Sequence, residues 1–468
     1  MKKLRTSLRL LLALAVSAAP AAGATRLGLE PVPDVHLVEE QSEALCRWYK
    51  AGLRGLPLVH VSVRLNIASQ QMDAPGDGAA ARAALAGGSC EELAARTGSI
   101  LREDALWDTD NFLVPAHLLG VVSEVWWVVP GRGSLAEAAL PAFRDRLRES
   151  FGLPVEFLDS LRQEGAVVHG TYRGLPVHIV TLADLPGFSE PVLAGIDAEY
   201  LLSIYDNPVR ERLLDLLAGF FATLRARAIR ADQVAVSVSN RSGRVPLEYA
   251  YLAIQVRDYL AAPGRFGEGP PEAWRLQSQV EYLSYMAGRE DAEREARRLA
   301  AIDPDSPVPW YDLAQIAAGR GEAPVARHML SEAVRRSTRY RTGYPALARI
   351  LSDRQMAGPA QELLEAGCAA FPDDVSLGLA LAVLYAERGS LDLAAAHLTA
   401  LAGRLPRYPA VHAALALALR ESGKAAEAEA AMENFRRTAP AGGMRRSFVQ
   451  EPGGAAKTPD RIIFSLPE

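Results

Sequence analysis

Three polar side chains follow one another at alternate positions near the end of an apolar run: Ser62, Arg64 and Asn66. The run, residues 56–66, contains six Val and Leu residues and sits between Gly55-Leu56-Pro57 and Ser69-Gln70-Gln71, the pattern of a buried strand. In an open parallel sheet, ligands gather beyond the carboxyl ends of the strands, so these three residues stand where chemistry is expected. A hydroxyl, a guanidinium and an amide can hold a polar or anionic group, but none is a good metal ligand or a general base at neutral pH. His60 lies two residues earlier and shares their face, where a neutral core imidazole is the commoner role.

To position these residues, the sequence alternates strand and helix signals from residue 25 to 262, an α/β pattern with a mostly parallel sheet between helices. Helical spacing marks residues 39–54, followed by the strand, a Gly/Ala-rich loop over 74–88 and a short helix over 111–119. Residues 121–129 form a second apolar strand closed by Pro130-Gly131, and residues 135–151 a helix. Segments 166–172 and 175–182 flank Arg173-Gly174, a hairpin signal. A strand over 191–198, a helix opened by Asn207-Pro208, a strand over 234–239 and a helix over 246–261 complete the domain.

The stretches Val38-Glu39-Glu40-Gln41, Leu58-Val59-His60, Asp110-Asn111-Phe112-Leu113-Val114-Pro115-Ala116, Val125-Trp126-Trp127-Val128-Val129-Pro130 and Ile196-Asp197-Ala198-Glu199-Tyr200 resemble an uncharacterised domain family of the arginase/deacetylase-like fold. The resemblance implies a three-layer α/β domain. In metal-bearing members of that fold, one strand ends in Asp-x-His-x-Asp and a later one in Asp-x-Asp, and together they hold divalent ions that generate hydroxide. Here the first pattern falls on Ser62, Arg64 and Asn66, the second on Asp197 and Glu199, and a family histidine on Gln41. A permanent cation at Arg64 repels a metal ion. The resemblance therefore implies a catalytically silent domain with no metal or other cofactor, Arg64 pairing instead with Asp197 or Glu199. Two other readings stay open: a metal-dependent hydrolase of C–N bonds using Asp197 and Glu199, and a small-anion site at Arg64.

Residues 263–271 read as a linker, and beyond it the chain repeats every 34 residues. Leu313, Leu347, Leu381 and Leu415 align, as do Ala314, Ala348, Ala382 and Ala416, and Ala326, Ala360, Ala394 and Ala428. Gly321, Gly389 and Gly423 mark the turns. Over residues 272–440 the sequence is similar to the tetratricopeptide family, five helix pairs whose concave face binds protein or peptide. Tyr311, Gln315, Arg349 and Tyr385 are the groove residues this implies. The protein's own first domain is an alternative occupant of that groove.

Met1-Lys2-Lys3-Leu4-Arg5, the apolar run 8–16 and Ala22-Gly23-Ala24 read as a signal peptide over residues 1–24, giving an exported, periplasmic or secreted, bacterial-type protein. Cys46 and Cys90 could then pair or remain free thiols, with Cys368 a buried small residue. A net charge of −5 gives no footprint for nucleic acid, and no later run is long enough to span a membrane. The Gly/Pro-rich residues 441–468 read as a flexible tail. The expectation is an exported scaffold whose partners are proteins or peptides.

Overall fold

The computed structural model describes residues 24–67, 77–96, 102–105, 107–131, 133–267 and 269–439. The signal-peptide reading, apart from Ala24, and the tail reading lie outside these residues.

Among the described residues, nine strands form one sheet: β1 (Thr25–Arg26), β2 (Val35–Val38), β3 (Leu56–Val61), β4 (Val122–Val129), β5 (Arg162–Glu164), β6 (Val167–Tyr172), β7 (Leu175–Thr181), β8 (Val192–Asp197) and β9 (Arg230–Ser237). The parallel part runs β2-β9-β8-β3-β4-β7, and the antiparallel β6 and β5 extend it beyond β7. β1 joins the same edge of β9 as β2, antiparallel. The hairpin at Arg173-Gly174 has φ of 52° and 82°, the paired positive values that match the twist of the flanking strands.

Alternate side chains of each strand enter opposite cores. Val59, Val61, Ala194, Ile196, Val234 and Val236 pack on one face beneath the helices Leu213–Arg227 and Tyr251–Ala261. Leu58, Trp127, Val177, Ile179, Leu193 and Ala235 pack on the other, with the helices Glu43–Lys50, Leu113–Leu118 and Leu140–Phe151. The result is a mostly parallel sheet between two helical layers.

Several boundaries differ from the sequence reading. β3 ends at Val61, because His60 Nε2 meets both Arg64 O (3.0 Å) and Asn66 Oδ1 (2.8 Å) and turns the chain, with Asn66 at φ 58°. Ser62, Arg64 and Asn66 therefore do not alternate along one strand. The expected Gly/Ala-rich loop contains a helix, Asp77–Gly87, since its alanines favour helix more than its two glycines oppose it. Asn207 caps only a turn, accepting from Val209 N and Arg210 N, and the helix begins at Leu213. Cys46 and Cys90 are bridged, joining the helix Glu43–Lys50 to Cys90–Arg96, and Cys368 is free and half-buried. Closing a loop of 44 residues removes unfolded-state entropy on the order of 4 kcal/mol.

The repeats form five helix pairs: Glu272–Tyr285 with Arg289–Ile302, Val308–Arg320 with Ala323–Arg336, Gly343–Asp353 with Ala357–Ala370, Val375–Glu387 with Leu391–Arg404, and Pro409–Glu421 with Ala425–Thr438. The aligned Leu and Ala residues are buried throughout. Each pair turns through a residue of positive φ, followed by a backbone bond from the next residue to the carbonyl five positions back, which satisfies an orphan carbonyl of the first helix. Gly321, Gly389 and Gly423 take this position in three units. Ala287 (φ 56°) and Gln355 (φ 62°) take it in the other two, and their Cβ atoms are strained there. Gln355→Gly is expected to stabilise the chain by about 1 kcal/mol, despite the entropy that glycine adds to the unfolded state. Chemical denaturation would read this as a raised midpoint at unchanged slope; a lowered midpoint contradicts it.

The two halves share one core. Phe266, in a 3-10 turn over Pro263–Phe266, stacks near Tyr259 (5.2 Å) and Trp274 (4.7 Å), so the expected linker is pinned by aromatic packing. Gly343 lets Leu330, Tyr311 and Leu247 close over it, where a Cβ would fall 2.6 to 3.4 Å from their side chains. Arg339 pairs with Glu39 and donates to Leu37 O (3.0 Å), and Glu103 N donates to Arg407 O (2.9 Å).

Candidate functional site

From β3 the chain steps outward to β4 and β7, then crosses back to β8 on the other side of β3. That reversal opens a crevice at the carboxyl ends of β3 and β8, the place where α/β sheets bind ligands. The ends of β9 and β2 adjoin it, bringing in Ser239 and the Glu39-Glu40-Gln41 segment.

Asp197 ends β8 and caps the helix Ala198–Ile204, its Oδ1 accepting from Glu199 N (2.9 Å). Its Oδ2 accepts from Ser239 Oγ (3.0 Å) and from Gln41 Nε2. The Gln41 amide spends its other proton on Ser62 Oγ (2.9 Å), which also accepts from Arg64 N (3.2 Å). Trp127 Nε1 donates to Ser62 O (2.8 Å) from below. Ser62 and Asp197 are thus brought together, with a glutamine between them.

Arg64 Nε lies 3.7 Å from Glu199 Oε1, a long pair whose arginine is one-third exposed. His60 and Asn66 belong to a separate clamp. The ring's Nε2 faces two acceptors, so it carries the proton, and Asn66 Nδ2 donates to Thr109 O (2.6 Å). Burial pulls the His60 pKa down to about 4, keeping the ring neutral. His60 and Asn66 act as a brace for the turn.

Sequence reasoning missed the charge that governs the crevice. Arg244 is almost enclosed and pairs with Asp110. Although burial works against its charge, the carboxylates of Asp110, Glu199, Glu40 and Asp197 hold its pKa above the ordinary value. Glu40 is fully buried and accepts from Ser242 N (2.7 Å); burial pushes its carboxyl up to about 8. Burial, then the neighbouring Glu199, raises Asp197 to about 7. Arg244 follows the strand segment 234–239 by a few residues, which in sequence marks only a loop.

The site does not fit a divalent ion. Asp197 has both oxygens taken by protein donors, Gln41 presents its NH₂ where a ligand lone pair would be needed, and Arg64 and Arg244 bring positive charge. Among the described residues, no cluster of three or more His, Cys, Asp or Glu side chains is arranged to hold a metal ion.

Of the expected groove residues, Tyr311 is buried in the shared core with its ring 5.5 Å from Tyr340, so it cannot face a bound peptide. Gln315 Nε2 reaches Glu248 Oε2 of the first domain at 3.5 Å. Tyr385 donates to Glu365 Oε1 (2.9 Å) on the preceding helix, and Arg349 is exposed. The first domain meets the array through Glu248 at Gln315 and Leu247 beside Gly343, while Arg349 stays open.

No family model matches the chain, and no curated protein does. Solved structures of repeat proteins do. MamA from Desulfovibrio magneticus RS-1 is 16% identical with a TM-score of 0.25, over 36% of this chain and 96% of that one. YrrB, described as a TPR protein with an unusual peptide-binding site, is 15% identical with a TM-score of 0.25, over 39% and 93%. A thermophilic TPR protein of Thermus thermophilus is 23% identical with a TM-score of 0.23, over 36% and 92%. The repeat assignment rests on the helix pairs and turns described above.

Proposed function

We propose that this protein is an exported scaffold that holds a protein or peptide partner on the far end of its tetratricopeptide array, its first domain being a catalytically silent relative of the arginase-like fold. One register position carries the reading. Residues 315, 349, 383 and 417 are equivalent at the 34-residue period. In the second unit that residue is Gln315, which meets the first domain through Glu248. In the last two units it is Val383 and Leu417, apolar and 39% and 51% exposed. An aliphatic pair repeated on one face, two and three units along from the Gln315–Glu248 contact, suits the apolar side chains of a bound segment. The filled oxygens of Asp197 argue against the hydrolase reading. The leader-like first residues support export, and the Cys46–Cys90 bridge fits an oxidising compartment.

The test places a photo-crosslinking residue at position 417 of the full-length protein in its native host, with Val325, exposed on a second helix, as control position. One partner of defined mass is expected at 417, absent at 325 and lost in a Val383→Asp background. Equal labelling at both positions, or none at 417, overturns the reading.

A further inference from the structure

A cavity of about 420 Å³ lies between the first domain and the repeats, and neither Val383 nor Leu417 lines it. It goes unused by the function proposed above. Its size and its place at a domain junction are those of a small-molecule site. Four arginines and five carboxylates line it, so neither sign dominates.

Part of that charge is already paired. Arg339 joins the halves through Glu39, and Arg341 Nε pairs within the repeats with Asp374 Oδ2 (2.7 Å). Glu43 and Arg47 are different. They stand one turn apart on the helix Glu43–Lys50, acid before base, the order that normally favours a pair. Yet they form no ion pair with each other, and Arg47 makes none with any described residue. Arg47 Nε is buried without a hydrogen-bond partner, a costly state that a carboxylate would relieve. Among the described residues Glu43 accepts only Glu39 N (3.2 Å), and burial raises its pKa even though Arg241 and Arg339 pull the other way. Glu91 adds a second carboxylate from the helix bridged by the disulfide.

We propose that this cavity binds a small zwitterion of the amino-acid class, a free amino acid or dipeptide, with its carboxylate on Arg47 and its ammonium on Glu43 and Glu91. One helical turn, about 5.4 Å, separates the two residues that would receive the opposite ends. Both charges are needed, because an anion alone leaves the acidic wall unmatched and a cation alone leaves Arg47 bare. The remaining volume accommodates a side chain or a second residue beside Tyr408.

Titration calorimetry on the full chain, with L-alanine, L-glutamate, L-arginine and alanyl-alanine as probes, tests this, with acetate and methylammonium as single-charge controls. At least one zwitterion is expected to bind at least tenfold more tightly than either control. Arg47→Met and Glu43→Gln should each weaken it tenfold or more while melting as cooperatively as the parent. If Arg47→Met melts poorly, Glu91→Gln gives the same reading from the cavity's rim. No heat from any zwitterion, acetate binding as tightly as the best of them, or unchanged affinity in the well-folded variants overturns the proposal.

Discussion

Replacing Arg244 with Met is expected to cost about 3–5 kcal/mol of folding stability, the usual penalty for breaking a buried ion pair from one side. The pair with Asp110 is not the main source, since Asp110 is half exposed and water screens it. The loss comes from Glu40, Asp197 and Glu199, buried carboxylates that depend on this guanidinium for compensating charge. Glu40 and Asp197, already raised to about 8 and 7, rise further in the variant and take up protons. An acid whose folded pKa is raised destabilises the fold as pH climbs from its ordinary value toward the folded one. The deficit should therefore be small near pH 5 and grow as pH passes the parent's values of about 7 and 8, measured by urea unfolding near pH 5 and near pH 9. Adding Asp197→Asn, which keeps an N-cap oxygen for Glu199 N, should restore part of the loss. A deficit below about 1 kcal/mol, or one equal at the two pH values, would show that Arg244 does not bind this cluster together.

Arg244 also shows where sequence stops being legible. Strands β3, β4, β8 and β9 are apolar runs, and a run buried on both faces declares itself by composition alone. The repeats declare themselves by phase, so that even the strained Ala287 and Gln355 fall where the turn glycines predict a positive φ. The short edge strands β1, β2 and β5 do not, because two to four residues carry no periodicity and are held by partners distant in sequence. The site was half legible. Asp197 and Ser62 lie at strand ends, which the fold rule points to, but that Gln41 stands between them depends on how β2 pairs with β9. His60, Ser62, Arg64 and Asn66 looked like one face, and the αL backbone at Asn66 divides them between the crevice and a clamp. The burial of Tyr311 escapes the sequence for a related reason. Repeat phase tells which residues point away from the paired helix, but not that another domain lies there to bury them.

The seam that buries Tyr311 should respond to pH on its own. Asp312 is enclosed at the domain junction, and burial raises its carboxyl to about 7 against an ordinary value near 3.8. Gln277 Nε2 donates to it (3.1 Å), but Glu248 and Glu281 face the same region, both raised by burial, and the hydroxyls of Tyr251 and Tyr311 are buried there without partners. Arg212 acts on Glu281, and Arg339 on the nearby Tyr340, leaving Asp312 with no cation of its own among the described residues. The folded chain thus keeps a proton on Asp312 that the unfolded chain releases, so stability falls as pH rises from about 4 to about 7. At about 1.4 kcal/mol per pH unit the full swing from this group is on the order of 4 kcal/mol. Asp312→Asn keeps an acceptor for Gln277 and removes the charge. Its advantage over the parent should be absent near pH 4 and approach that figure near pH 7, read by denaturant unfolding with trypsin sensitivity at the 263–271 junction as a second measure. Parallel pH profiles for the two proteins would mean that water or a rearranged side chain already solvates Asp312, and that the junction does not sense its ionisation.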